Sequence, residues 1–72
     1  MAFDFSELRG RIKTRYGSEK AFAEAMGMAQ SNLSARLNGK IQWSACEIKR
    51  ACDLLEIPDE DVVVYFFTPK VR

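Results

Sequence analysis

The stretch SEKAFAEAMGMAQSNLSARLNGK, residues 18–40, carries two short apolar patterns separated by a glycine. Phe22, Ala23 and Met26 fall on one helical face, and Leu33 and Leu37 stand one turn apart on another. Ser18 occupies an N-cap position, where its oxygen can accept an orphan amide hydrogen. Gly27 sits where a left-handed residue must close the first helix, which glycine supplies without steric cost. Small Ala23 lets the following helix approach closely. The pattern predicts a helix over about 18–26, a tight turn and a second helix over about 29–38, a helix-turn-helix. Because only Leu33 and Leu37 tie the second helix down, Gln30, Ser31, Ser34, Ala35 and Arg36 are left outside or flanking.

The same periodicity extends to both sides. Phe5, Leu8, Ile12 and Tyr16 recur at spacings of three and four and predict a first helix over about 4–16, ended by Gly17. Downstream, Ile41 and Trp43 bracket a linker expected to lie on the core. Ser44 and Glu47 then form a capping-box pattern, and Ile48, Ala51, Cys52 and Leu55 continue a fourth helix over about 44–56. Pro58 breaks it. Asp59, Glu60 and Asp61 suit the positive end of a new helix, whereas Val62 to Phe67 is β-branched or aromatic and strand-like by composition. A lone strand has no partner here, so the expectation is a fifth helix over about 59–65, then an irregular end whose aromatics return to the core. The fold class that follows is all-α, with five short helices in a single domain spanning residues 1–72.

Composition narrows the function classes. A chain of 72 residues with 47% hydrophobic and 29% charged residues has the mixture of one small folded domain. Its net charge of +1 does not by itself announce a polyanion partner; affinity for one must come from where Lys and Arg lie. They are unevenly placed: Arg9, Arg11, Lys13 and Arg15 oppose Asp4 and Glu7 near the start, while residues 56–61 hold four acids and no base. Arg11 and Arg15, four apart, share a helix face.

Catalysis finds no support. The sequence has no His, no glycine-rich phosphate loop and no paired nucleophile and base. Cys46 and Cys52, six apart on one helix, point in different directions, which argues against a disulfide, and two thiols without His make a poor zinc set. The expectation is therefore no enzyme, no cofactor, no metal and no small-molecule ligand. The longest apolar run, residues 62–67, is far too short to span a bilayer, and a cytoplasmic location is expected.

Residues 18 to about 55 resemble the helix-turn-helix of phage Cro and repressor proteins. The resemblance is nearest to small Cro-like phage proteins with a C-terminal Tyr-Phe-Phe motif, here Tyr65-Phe66-Phe67. The matching marks are Phe22-Ala23, Gly27, Gln30-Ser31-Asn32-Leu33-Ser34, Leu37-Asn38-Gly39-Lys40 and Leu54-Leu55-Glu56-Ile57. The resemblance implies a lambda-repressor-like domain that binds a palindromic double-stranded operator as a homodimer and regulates phage transcription. It implies Gln30, Ser31, Ser34 and Ala35 as base contacts, with helix 29–38 in the major groove. Ser18, Lys20, Asn32, Arg36, Asn38 and Lys40, with Arg11 and Arg15, become the phosphate contacts. Ala35 and Glu19 depart from the family pattern: alanine offers only apolar contact, and a carboxylate is unfavourable beside phosphate. Val62, Tyr65, Phe66 and Phe67 form the expected dimerisation patch.

A second reading uses the same scaffold for a different ligand. In it the chain is a non-enzymatic protein-interaction module, an antirepressor or assembly adaptor. It draws weight from the near-neutral charge and from an apolar tail larger than a chain of 72 residues absorbs in its core.

Overall fold

Residues 3–70 are described by a computed structural model. Their order is α1 (Ser6–Tyr16), α2 (Glu19–Met26), α3 (Gln30–Leu37), α4 (Ala45–Leu55), a 3-10 turn (Asp59–Asp61) and α5 (Val62–Phe66). The architecture is all-α, five short helices in a helix-turn-helix-like arrangement. The starts of α1 to α4 fall inside the sequence boundaries, at α2 and α4 because the capping serines lie outside the helices they cap. Ser18 Oγ accepts from the Ala21 amide at 3.1 Å. Ahead of α1, whose N-cap Phe5 makes no side-chain bond, Asp4 Oδ1 accepts from the Ser6 amide at 2.8 Å and the Ser6 hydroxyl at 2.6 Å.

Leu8 and Ile12 of α1, Phe22, Ala23 and Met26 of α2, and Leu33 and Leu37 of α3 converge on one buried cluster. Ala51, Cys52 and Leu55 of α4, then Ile57 and Phe66, complete it. Gly17 and Gly27 both take φ near +80° (82° and 76°) and close α1 and α2, the Gly17 amide donating to the Lys13 carbonyl and the Gly27 amide to the Ala23 and Glu24 carbonyls. Such angles strain any residue with a Cβ. The Met28 amide donates to the Ala23 carbonyl at 3.0 Å, which turns the chain directly from α2 into α3.

α4 opens with a complete capping box: Ser44 Oγ accepts from the Glu47 amide, and Glu47 Oε1 accepts from the Ser44 amide at 2.9 Å. It ends on Glu56, whose φ of 56° places a non-glycine residue in the left-handed region. Two arginines of α1 hold that corner. Arg11 donates to the Leu55 carbonyl at 3.0 Å and the Glu56 carbonyl at 2.9 Å, and Arg15 pairs with the Glu56 carboxylate. Cations at the carbonyl end of α4 also complement its dipole.

The tail differs from expectation in three ways. The fifth helix opens as a 3-10 turn and runs to Phe66, one residue further than its pattern suggested. Of the two terminal aromatics only Phe66 enters the core, meeting Trp43 edge to face with ring centroids 5.1 Å apart. Phe67 stays exposed, because one helical residue later the side chain has rotated off the buried side. Ile41 is likewise exposed, although Trp43 is half-buried against the core. The strand-like composition leaves a single trace: Phe3 and Pro69 form an isolated antiparallel bridge, and the Asp4 amide donates to the Thr68 carbonyl at 2.7 Å.

Candidate functional site

α2 and α3 bury Phe22, Ala23, Met26, Leu33 and Leu37 between them and the rest of the core, which leaves the opposite side of α3 as a surface. Gln30, Ser31 and Asn32 are exposed there, and Ser34 and Ala35 are half-buried. Their amides and hydroxyls offer hydrogen bonds without charge.

The cation on this helix is held by the protein itself. Arg36 donates from Nε to Glu47 Oε1 at 3.0 Å and from Nη2 to Glu47 Oε2 at 2.9 Å, a bidentate fork. Its Nη1 donates back to the Asn32 carbonyl at 3.0 Å. Arg36 and Glu47 side chains are only 16% and 24% exposed, so the pair is shielded well enough to hold its geometry. The Arg36 guanidinium, followed by the Ser44 amide, holds the Glu47 carboxyl below its ordinary value. Glu47 was legible as a capping residue; its grip on α3 was not.

Four of the other expected phosphate contacts, Arg11, Arg15, Ser18 and Asn38, are likewise engaged within the chain. Arg11 and Arg15 do share a face, and that face abuts the end of α4, with the Arg11 guanidinium 5.9 Å from the Tyr65 ring centre. Asn38 accepts from Arg9 at 2.7 Å, and Arg9 also donates to the Leu37 carbonyl at 3.2 Å and to Glu19 at 2.7 Å. Arg9, which sequence reasoning passed over, is thus the residue of α1 that reaches the α3 terminus. Ser18 is occupied as a cap, while Lys20 and Lys40 are exposed and make no salt bridge among the described residues.

The expected dimerisation residues do not make one face. Phe66 is 1% exposed and belongs to the chain's own core, and Val62 and Tyr65 are half-buried against it. Phe67 alone of the four lies open. With Val63, Val64 and Ile41 it makes up the exposed large apolar residues of the described chain. Phe67 and Ile41 also line a cavity of about 230 Å³ shared with Phe3, Phe5, Trp43 and Phe66. The Trp43 indole N–H beside it is buried with no hydrogen-bond partner. Cys46 is exposed and Cys52 buried; burial, then the Asp53 and Asp59 carboxylates, push the Cys52 thiol upward.

A family model described as a protein of unknown function, DUF739, matches residues 1–69. The chain belongs to the DUF739 family. Comparison with curated proteins gave no match. Among solved structures, the chain is similar to the solution structure of the modulator of repression of the temperate bacteriophage TP901-1 from Lactococcus lactis. The two are 39% identical over 100% of this chain and 97% of that one, with a TM-score of 0.83. The chain is thus an all-helical member of its family that is similar to a bacteriophage protein along its whole length.

This similarity corrects the operator-binding reading. End to end, the chain matches a protein that modulates repression, and the expectation of a Cro-like, DNA-binding repressor with an operator and a second copy as partners is withdrawn. The side chains supply a physical reason. Phosphate binding needs cations that can exchange counterions for DNA, and Arg11, Arg15 and Arg36 are already engaged by carbonyls and carboxylates, which leaves Lys20 and Lys40 as the cations of the expected set without a salt bridge. Among the described residues no group of three His, Cys, Asp or Glu side chains is placed to hold a metal ion. No helix among them is long and apolar enough to cross a membrane.

Proposed function

We propose that this chain is a protein-interaction module that modulates a phage repressor by binding it, using a lambda-repressor-like helix-turn-helix as scaffold. The observation that carries this reading is the similarity along the full chain to a modulator of repression. Two features support it. The Arg36–Glu47 fork ties α3 to α4 and removes charge from the surface where a DNA reader would need it. The largest exposed apolar side chains gather instead around α5 and the Ile41 loop. In this reading the module acts in the cytoplasm, where repressor and genome meet.

The test uses the full chain, a purified phage repressor and its fluorescent operator. The chain alone is expected to leave operator anisotropy unchanged at about 0.15 M salt, a concentration at which specific DNA binders remain tight. Added to repressor, it is expected to form a complex by size-exclusion chromatography and to shift the operator titration. Sequence-selective binding of operator by the chain alone, with no complex formed with repressor, would overturn the proposal.

A further inference from the structure

We infer that the exposed side of the 3-10 turn and α5, with the cavity at its end, docks a partner segment that carries cations at one end and an apolar anchor at the other. The inference rests on the protein-interaction reading above and adds to it the surface and the chemistry of what binds. Asp59, Glu60, Val63, Val64 and Phe67 are all exposed, and their spacing puts them along one side of a continuous helical segment. Val63 is 64% exposed, Val64 47% and Phe67 41%, while Phe66 between them is buried. Apolar area of this kind, contiguous on one helix side, marks interaction surfaces.

The stripe has two chemically distinct ends. Asp59, Glu60 and Asp61 make no salt bridge among the described residues, so their charge faces outward unneutralised. At the other end Phe67 stands edge-on to Phe3, ring centroids 5.6 Å apart, and opens into the cavity lined also by Ile41 and Trp43. A volume of about 230 Å³ is below the usual range for small-molecule sites, and its lining is mostly aromatic and aliphatic, Gly39 and Gln42 excepted; it suits one apolar side chain. None of the residues lining that cavity carries a charge.

Charge selects the occupant. A second copy docking by two-fold symmetry would run antiparallel and lay Asp59 and Glu60 over its partner's cavity end, whose lining carries no cation, so those charges would lose water without gaining a partner. A segment with Lys or Arg opposite Asp59 and Glu60 meets complementary charge. From Glu60 to Phe67 the helical rise is about 10 Å, which sets the separation between cation and anchor.

The probe is a 15-residue amphipathic helical peptide of leucine and alanine, with three lysines grouped two turns from a single phenylalanine. A control peptide has glutamate in place of lysine. Titrated into the isotope-labelled full chain, the lysine peptide is expected to shift the amide signals of Val63, Val64, Phe67 and Ile41 and the Trp43 indole signal. Phe67→Ala is expected to weaken it about tenfold or more, the scale of one buried aromatic side chain. Asp59→Lys with Glu60→Lys is expected to weaken it about fivefold or more and to abolish its preference over the glutamate peptide. Circular dichroism and a retained amide spectrum show that each variant is folded. Shifts on α3 instead, equal binding of both peptides, unchanged affinity in the folded variants, or the same shifts on concentrating the chain alone would each overturn the inference. The two readings fail separately. A chain that binds the lysine peptide here but no repressor loses the proposed function alone; one that binds repressor while this face is inert to the peptide loses only the docking surface.

Discussion

Replacing Glu47 with glutamine removes one charge and leaves the shape of the side chain intact. Glu47 holds two partners at once: the Arg36 fork, at 3.0 and 2.9 Å, and the Ser44 amide, at 2.9 Å. Glutamine keeps one oxygen for the capping bond, since Gln also serves at this position of a capping box. What it loses is the charge and one of the two bonds to the guanidinium. A hydrogen bond to a charged group contributes about 1.5–3 kcal/mol; with the pair still partly wetted, Glu47→Gln should cost about 1–2 kcal/mol. In a domain this small that lowers the melting temperature by about 7–13 °C. Glu47→Ala loses the cap as well and should cost about 0.5–1 kcal/mol more.

The pH dependence has a definite sign. The Glu47 carboxyl is held below its ordinary value in the folded chain. Its contribution is therefore complete above the unfolded value of about 4.3 and is lost as pH falls through the lower folded value. Urea denaturation of wild type and Glu47→Gln should show the full difference at about pH 7 and a shrinking one toward about pH 3. Equal stability at neutral pH, or a difference that stays constant down the acid range, would refute the reasoning. So would a double-mutant cycle with Arg36→Ala giving coupling below about 0.3 kcal/mol.

Other substitutions probe the core, the turn and the thiols. Phe66→Ala should cost about 3–5 kcal/mol, as expected for a fully buried aromatic, and Phe67→Ala less than about 1; urea midpoints compare them directly. Gly27→Ala, forced to φ of 76°, should destabilise by about 1–2 kcal/mol although the space around it is open, again read from urea midpoints. Ellman's reagent should titrate Cys46 promptly in the native chain and reach Cys52 only as the chain unfolds, giving a second thiol in denaturant. Immediate reaction of both would mean that the α4 packing around Cys52 is looser than described.

Helices α1 to α4 were readable because their information is local. Apolar spacing, Ser18, Gly27, and the reciprocal Ser44 and Glu47 signals each act within a few residues. The tail resisted because its composition favours strand while the only pairing available is the bridge between Phe3 and Pro69. Phe66 and Phe67 are chemically identical, and only the phase of a helix beginning after Pro58 decides which one is buried. The site was harder still. Gln30, Ser31 and Asn32 were correctly placed outside, but Arg36 meets a carboxylate 11 residues away on another helix, and no local pattern contains that meeting. The same holds for Arg9, which reaches Asn38 across 29 residues. An exposed polar helix thus looked like a DNA reader because the residues that neutralise its arginine are brought in by the fold.

The bridge between Phe3 and Pro69 makes the backbone nearly a closed ring. Linear order then matters less to the finished molecule than adjacency, since joining those two segments through a short linker closes a gap the fold has already closed. A ring can be cut elsewhere. The exposed loop after α3, where Gly39 and Lys40 face solvent, lies outside every helix and contributes no residue at 39–40 to the buried cluster. A permuted chain opened there would begin with α4 and finish with α3, keeping the Arg36–Glu47 fork as the contact that draws its two new ends together.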